Sequence, residues 1–165
     1  MQNQSQDILA NARASAPRRW LGIGMLASLG GLLIYVAFAS PPASVGWQGF
    51  LLLLGLAAVF LAERMRRATE LTLNLTAEGV SDSNGVIVAG IDEIDGVSRG
   101  TFAAKPSNGF TIRLKTGGVR LWQPGVYWRF GRRVGIGGVL PGGQAKFMAE
   151  MLEALLVERQ TPHAD

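Results

Sequence analysis

The spacing of apolar positions changes twice along the chain. From Trp20 to Ala39 the sequence WLGIGMLASLGGLLIYVAFA holds no charged residue. As a helix such a run is about 30 Å long, the thickness of a bilayer core. Trp20 marks one interface, and Tyr35 lies a turn from the other end. SPPASV follows, where Pro41 and Pro42 end any helix. A second uncharged run, Gly46 to Ala62, closes on Glu63, Arg64, Arg66 and Arg67. The pattern predicts two membrane-spanning helices over 20–39 and 46–62, with a basic juxtamembrane linker over 63–69. Residues 1–19 read as a polar tail.

Two other readings compete for these runs. Buried helices of a soluble core seldom include two charge-free runs of this length. A cleaved signal peptide would use the arginine pair of PRRWLGIG and an A-x-A site at Ala37-Phe38-Ala39. It leaves the second run unexplained, and the first run exceeds a normal signal core. Arginine placement then sets the orientation. Arg13, Arg18 and Arg19 precede the first run, Arg64, Arg66 and Arg67 follow the second, and SPPASV carries no charge. The positive-inside rule places both termini in the cytoplasm, with Arg18, Arg19, Arg64, Arg66 and Arg67 setting the topology. Small residues four apart (Gly24 and Ser28, Ala27 and Gly31, Ala58 and Ala62) offer close helix packing.

From Glu70 the period shortens. ELTLNLT alternates Leu71, Leu73 and Leu75 with polar residues, as a half-buried strand does. Asn84-Gly85 between apolar runs signals a hairpin, because both residues tolerate positive φ. IDEIDGV reads as a turn leading to a strand near Val97 to Ala103, and KPSNG as a loop. FTIRLKT sets Phe110, Ile112 and Leu114 against Thr111, Arg113 and Lys115. Gly117-Gly118 and Pro124-Gly125 punctuate further short strands. About six or seven antiparallel strands are expected, forming a small barrel or sandwich. Phe147, Met148, Met151, Leu152, Leu155 and Leu156 then mark one face of a closing helix begun near Pro141, with Lys146, Glu150, Glu153 and Arg159 off that face. The β domain covers 70–158 and a tail 159–165.

Composition narrows the chemistry. The 165 residues are 48% hydrophobic and only 17% charged, and the apolar excess lies in the two long runs. With no cysteine, disulfides, thiolate metal sites and cysteine nucleophiles are excluded. The single histidine, His163, lies in the C-terminal tail, which argues against a histidine metal site or a Ser-His-Asp triad. No catalytic, cofactor-binding or metal-ligating set is identified, and no small-molecule substrate. The spans hold no ionisable residue, which an ion or proton path would normally supply.

Charge is segregated. Between Gly96 and Ala149 every charged side chain is basic: Arg99, Lys105, Arg113, Lys115, Arg120, Arg129, Arg132, Arg133 and Lys146. Acids flank that segment at Asp92, Glu93 and Asp95 and at Glu150 and Glu153. Brought onto one face, Arg113, Lys115, Arg120, Arg129, Arg132 and Arg133 would contact anionic headgroups, at about 1 kcal/mol per basic residue close to a surface. The competing reading is a solvated face partly neutralised by the acids. Asp92, Glu93 and Asp95 read as a polar turn rather than acid–base catalysts.

The stretch LWQPGVYWRFGRRVGIGG admits three readings. Arginines among aromatics suggest base stacking, but the domain lacks the markedly basic charge of a nucleic-acid binder. Gly135-Ile136-Gly137 begins a dinucleotide fingerprint, yet Leu140 stands at its last position and no βαβ unit surrounds it. The third reading is strands beside a membrane, with glycines as bend points. Alternation sets Val126, Trp128 and Phe130 on one face and Tyr127 and Arg129 on the other.

LTLNLTAEGV, VIVAGIDEIDGV, RLWQPGVYWRFGRRVGIG and PGGQAKFMAEMLEALL, in that order from Glu70 to Val157, resemble a bacterial pleckstrin-homology-like domain. The whole chain resembles small bacterial membrane proteins that carry such a domain after a helical hairpin. The resemblance implies a barrel capped by a C-terminal helix, in the bacterial inner membrane, with no common activity. It points to a non-enzymatic interaction or scaffolding module. Its partners would be the bilayer and another membrane protein or a second copy of itself. Headgroup binding, or a role as accessory subunit of a membrane enzyme or transporter, are the alternatives.

Overall fold

The computed structural model describes residues 7–100 and 106–160. Two 24-residue helices, α1 (Ala16–Ala39) and α2 (Val45–Ala68), form an antiparallel pair. Pro17 starts α1, where a missing N–H costs nothing. At the connecting loop the Gln48 side-chain amide donates to the Ala37 carbonyl at 3.0 Å, serving an end carbonyl of α1. Both helices are long and apolar enough to cross a membrane, with a mean hydropathy of 2.0 in their most apolar windows. α2 extends through the segment expected as a linker. Glu63 pairs with Arg66 and Arg67 at i+3 and i+4, which supports another helical turn.

The helices meet through small residues. Ile23, Gly30 and Ala37 of α1 are buried, as are Gly55, Ala58, Ala62 and Met65 of α2. A Cβ at Gly30 would lie 2.7 Å from Val59 Cγ2 and 2.8 Å from the Gly55 carbonyl oxygen, so only glycine permits this approach. The small-residue expectation holds for Ala58 and Ala62. It fails on α1, where Gly24, Ala27, Ser28 and Gly31 all face outward. In a helix apolar all round, polarity does not mark which small-residue stripe is the contact.

Nine strands build two antiparallel sheets among the described residues. The first contains β1 (Ala10–Arg13), β2 (Thr72–Thr76), β3 (Gly79–Asp82) and β4 (Ile87–Gly90), in that order. A 3-10 turn at Ile91–Glu93 leads into the second sheet. That sheet contains β5 (Ile94–Ser98), β6 (Phe110–Leu114), β7 (Leu121–Gln123), β8 (Tyr127–Phe130) and β9 (Arg133–Ile136), in the order β5-β6-β9-β8-β7. α3 (Gly142–Gln160) packs against β1, β5 and β6. Leu73, Leu75, Val80, Val88, Ile112, Leu114, Val134 and Ile136 form the core with Met148 and Leu152 of α3. Phe147 faces outward, off the helix face expected to carry it.

Two further expectations are corrected. The sheets do not close into a barrel. β4 and β7 are edge strands of different sheets, and the chain steps between sheets through a turn instead of a shared ladder. Residues 10–13, expected in a polar tail, form β1, which pairs with β2 from Ala10 opposite Leu75 to Arg13 opposite Thr72. The alternation in ANAR buries Ala10 and Ala12 and exposes Asn11 and Arg13. The strand expected near Val97 to Ala103 starts earlier, as β5 from Ile94, inside the segment expected as a turn, and ends at Ser98. Residues 101–105, with Lys105, lie outside the described residues, as does His163.

Candidate functional site at the helix–sheet junction

The five arginines expected to set the topology gather where the helix pair meets the sheets. Arg18 donates to the Leu140 carbonyl at 3.1 Å, and Arg19 to the Glu70 carboxylate at 3.0 Å. Arg66 bridges Glu63 and Glu70, and Arg67 binds Glu63. Arg64 donates to the Trp122 carbonyl at 3.4 Å, with its guanidinium carbon 5.4 Å from the Trp122 ring centroid. Backbone contacts complete the joint: the Ser15 N–H donates to the Val139 carbonyl at 3.0 Å. Cleavage after Ala39, as the signal peptide reading requires, would remove β1 and half of the helix pair.

The six candidate contact residues, Arg113, Lys115, Arg120, Arg129, Arg132 and Arg133, do not all share one face. Arg129 is only 7% exposed. Its guanidinium donates to the Val88 carbonyl of β4 at 3.1 Å and to Glu93 at 3.2 Å, bridging the two sheets where no ladder joins them. Its Nε has no hydrogen-bond partner among the described residues. Arg129 lines an open cleft of about 580 Å³ with Val86, Ile87, Glu93, Val119 and Leu121. Arg113 pairs with Asp95 at 2.5 Å. Arg132 donates to the Leu114 carbonyl and Lys115 to the Asp92 carbonyl. Arg120 and Arg133 are exposed. Asp92, Glu93 and Asp95 therefore hold Arg159, Arg129 and Arg113 respectively.

The outer face of the second sheet has two ends. Trp122 and Trp128 are cross-strand partners near the β7–β8 turn. The Trp128 indole covers Gly135, its partner on β9, where any Cβ would collide with the ring. Trp128 stacks on Phe130 with centroids 5.6 Å apart. At the other end Phe130 opposes Arg133, and Arg133 opposes Arg113 across β9 and β6. From Tyr127 to Phe130 the strand climbs about 10 Å, at about 3.3 Å per residue. The aromatic residues split as alternation requires: Trp128 and Phe130 point out, Tyr127 in.

Sequence reasoning passed over Asp82. It is buried, and its Oδ1 accepts from the Asn84 and Val86 N–H groups at 2.9 and 3.0 Å. Its Oδ2 accepts the Tyr127 hydroxyl at 2.8 Å, joining the sheets. Burial first, and the Asp82 carboxylate second, push the Tyr127 phenol well above the usual tyrosine range. The Asp-x-Asn-Gly spacing of the hairpin turn was the available signal. Comparison with protein-family models, with curated proteins and with solved structures finds no match.

Proposed function

We propose that the protein is a membrane-anchored, non-enzymatic interaction module of the bacterial pleckstrin-homology-like kind. α1 and α2 cross the inner membrane, both termini are cytoplasmic, and the β domain stands on the cytoplasmic surface. The observation that carries this reading is the β1–β2 pairing. One strand precedes the helix pair and the other follows it, so both flanks meet at one end of the hairpin. The arginines lie at that same end, and the loop at the opposite end is uncharged, the arrangement that the positive-inside rule assigns to a cytoplasmic domain. The helices leave Leu21, Leu29, Leu32, Phe38, Leu53, Leu56 and Phe60 uncovered, surface that suits lipid and not water.

A partner would meet the far end of the second sheet, where Phe130, Arg133 and Arg113 stand side by side away from the helix ends. Two fusions and one cross-linker test the proposal. A fluorescent reporter at Asp165 should be active in the cytoplasm and an alkaline phosphatase there inactive; phosphatase activity would overturn the placement. A photo-cross-linking residue replacing Phe130 should capture protein in intact membranes. Capture of lipid alone would replace the partner surface with headgroup binding.

A further inference from the structure

We propose that the β7–β8 hairpin is an interfacial anchor, with Trp122 seated in the headgroup layer of the bilayer that α1 and α2 cross. This rests on the reading that the two helices span a membrane. The hairpin reaches the helix pair at the edge of its apolar run. A Cβ on Gly125, in the hairpin turn, would lie 3.2 Å from Met65 Cε and 3.6 Å from Thr69 Cγ2. Met65 also reaches Gly22 of α1, inside the first uncharged run. Met65 is three residues past Ala62, where the second uncharged run ends. That separation is less than one helical turn, about 5 Å along the axis.

Trp122 sits at the same depth. Its carbonyl and its ring both meet Arg64, two residues past Ala62, yet the side chain stays 44% exposed. On α1, Trp20 stands at the matching level, with the Arg19 guanidinium 5.3 Å from its ring centroid. Each tryptophan thus pairs an outward apolar ring with an adjacent arginine, the combination that favours the headgroup region. The sheet contributes one member of the aromatic belt and α1 the other. The β domain is therefore held against the bilayer at a second point and not hung from the helices alone. The basic row of Arg113 and Arg133 lies two residues, about 7 Å, further along the strands.

The test uses the full chain in liposomes containing lipids that carry a quenching nitroxide at a shallow or a deep position. One variant keeps Trp122 alone (W20F, W47F, W128F) and a second keeps Trp47 alone (W20F, W122F, W128F), at the opposite end of the helix pair. Trp122 emission should fall more with the shallow label than with the deep one, and Trp47 emission should fall as well. Quenching of Trp47 without Trp122 overturns the anchor and leaves the spans standing. Quenching of neither overturns the membrane reading itself. Because Trp128 covers Gly135, a second measurement keeps Trp128 in place. Nitroxide side chains at W122C and, beyond the far end of the sheet, T116C should differ: the first more accessible to oxygen, the second to a polar nickel reagent. Equal polar-reagent access at both sites would also overturn the anchor.

Discussion

Leu32 and Leu73 show how differently the two halves of the molecule treat the same side chain. Leu32, on α1, is 59% exposed, and Leu73, on β2, is fully buried. The helix pair meets through Gly30, Gly55, Ala58 and Ala62, and turns its large apolar side chains outward. The sheets turn theirs inward around Leu73, Ile112, Leu114 and Met148. The β domain draws its stability from burying apolar surface away from water. In the lipid proposed for it, the helix pair would gain little that way, since lipid is as apolar as leucine, and would rely on close backbone packing.

The largest effect should come from the sheet core. Ile112→Ala or Leu152→Ala should cost about 2–5 kcal/mol, read as a lower thermal midpoint of the β-domain signal in detergent. Leu32→Ala, an equal deletion on the helix surface, should stay within about 0.5 kcal/mol in the same assay. Equal losses would erase the distinction. Gly30→Leu should separate the helices at a cost of about 1–3 kcal/mol, measured by steric trapping in bicelles, with the sheet transition unchanged.

Tyr127→Phe should cost about 1–3 kcal/mol, because Asp82 Oδ2 stays buried without its donor. The sign of the pH dependence follows from the raised phenol. Its contribution is complete below the ordinary tyrosine value of about 10 and is lost as pH rises from there through the folded value. Phenolate absorbance in a Tyr35→Phe background should appear only well above that ordinary value, or together with unfolding. The smallest effect belongs to Arg133→Glu on the exposed face, within about 0.5 kcal/mol of the parent by thermal melting.

The long features were legible and the short ones were not. Charge-free runs announce α1 and α2, and period-two alternation announces β2, β6 and β8, because each repeats a local rule over many residues. β1 offers four residues of small or polar character, and it is a strand only because β2 lies beside it. Arg129 reads as one more surface cation in WRFGRR. The alternation that places it beside Tyr127 was visible, but which face turns inward depends on the sheet across from it. The acidic turn looked like a solvated loop, and the fold spends it on holding Arg113, Arg129 and Arg159.

The central claim is that β1 and the sheets lie together on one side of the membrane, with the Pro41-Pro42 loop on the other. The chain has no cysteine, so single substitutions report cleanly. N11C on β1, N84C in the β3–β4 hairpin and A43C in the helix loop would be exposed in intact cells to a membrane-impermeant maleimide. Only A43C should react, and N11C and N84C should react together once the inner membrane is opened. Labelling of N11C and N84C from opposite sides, or of A43C with N84C from the same side, would contradict the account.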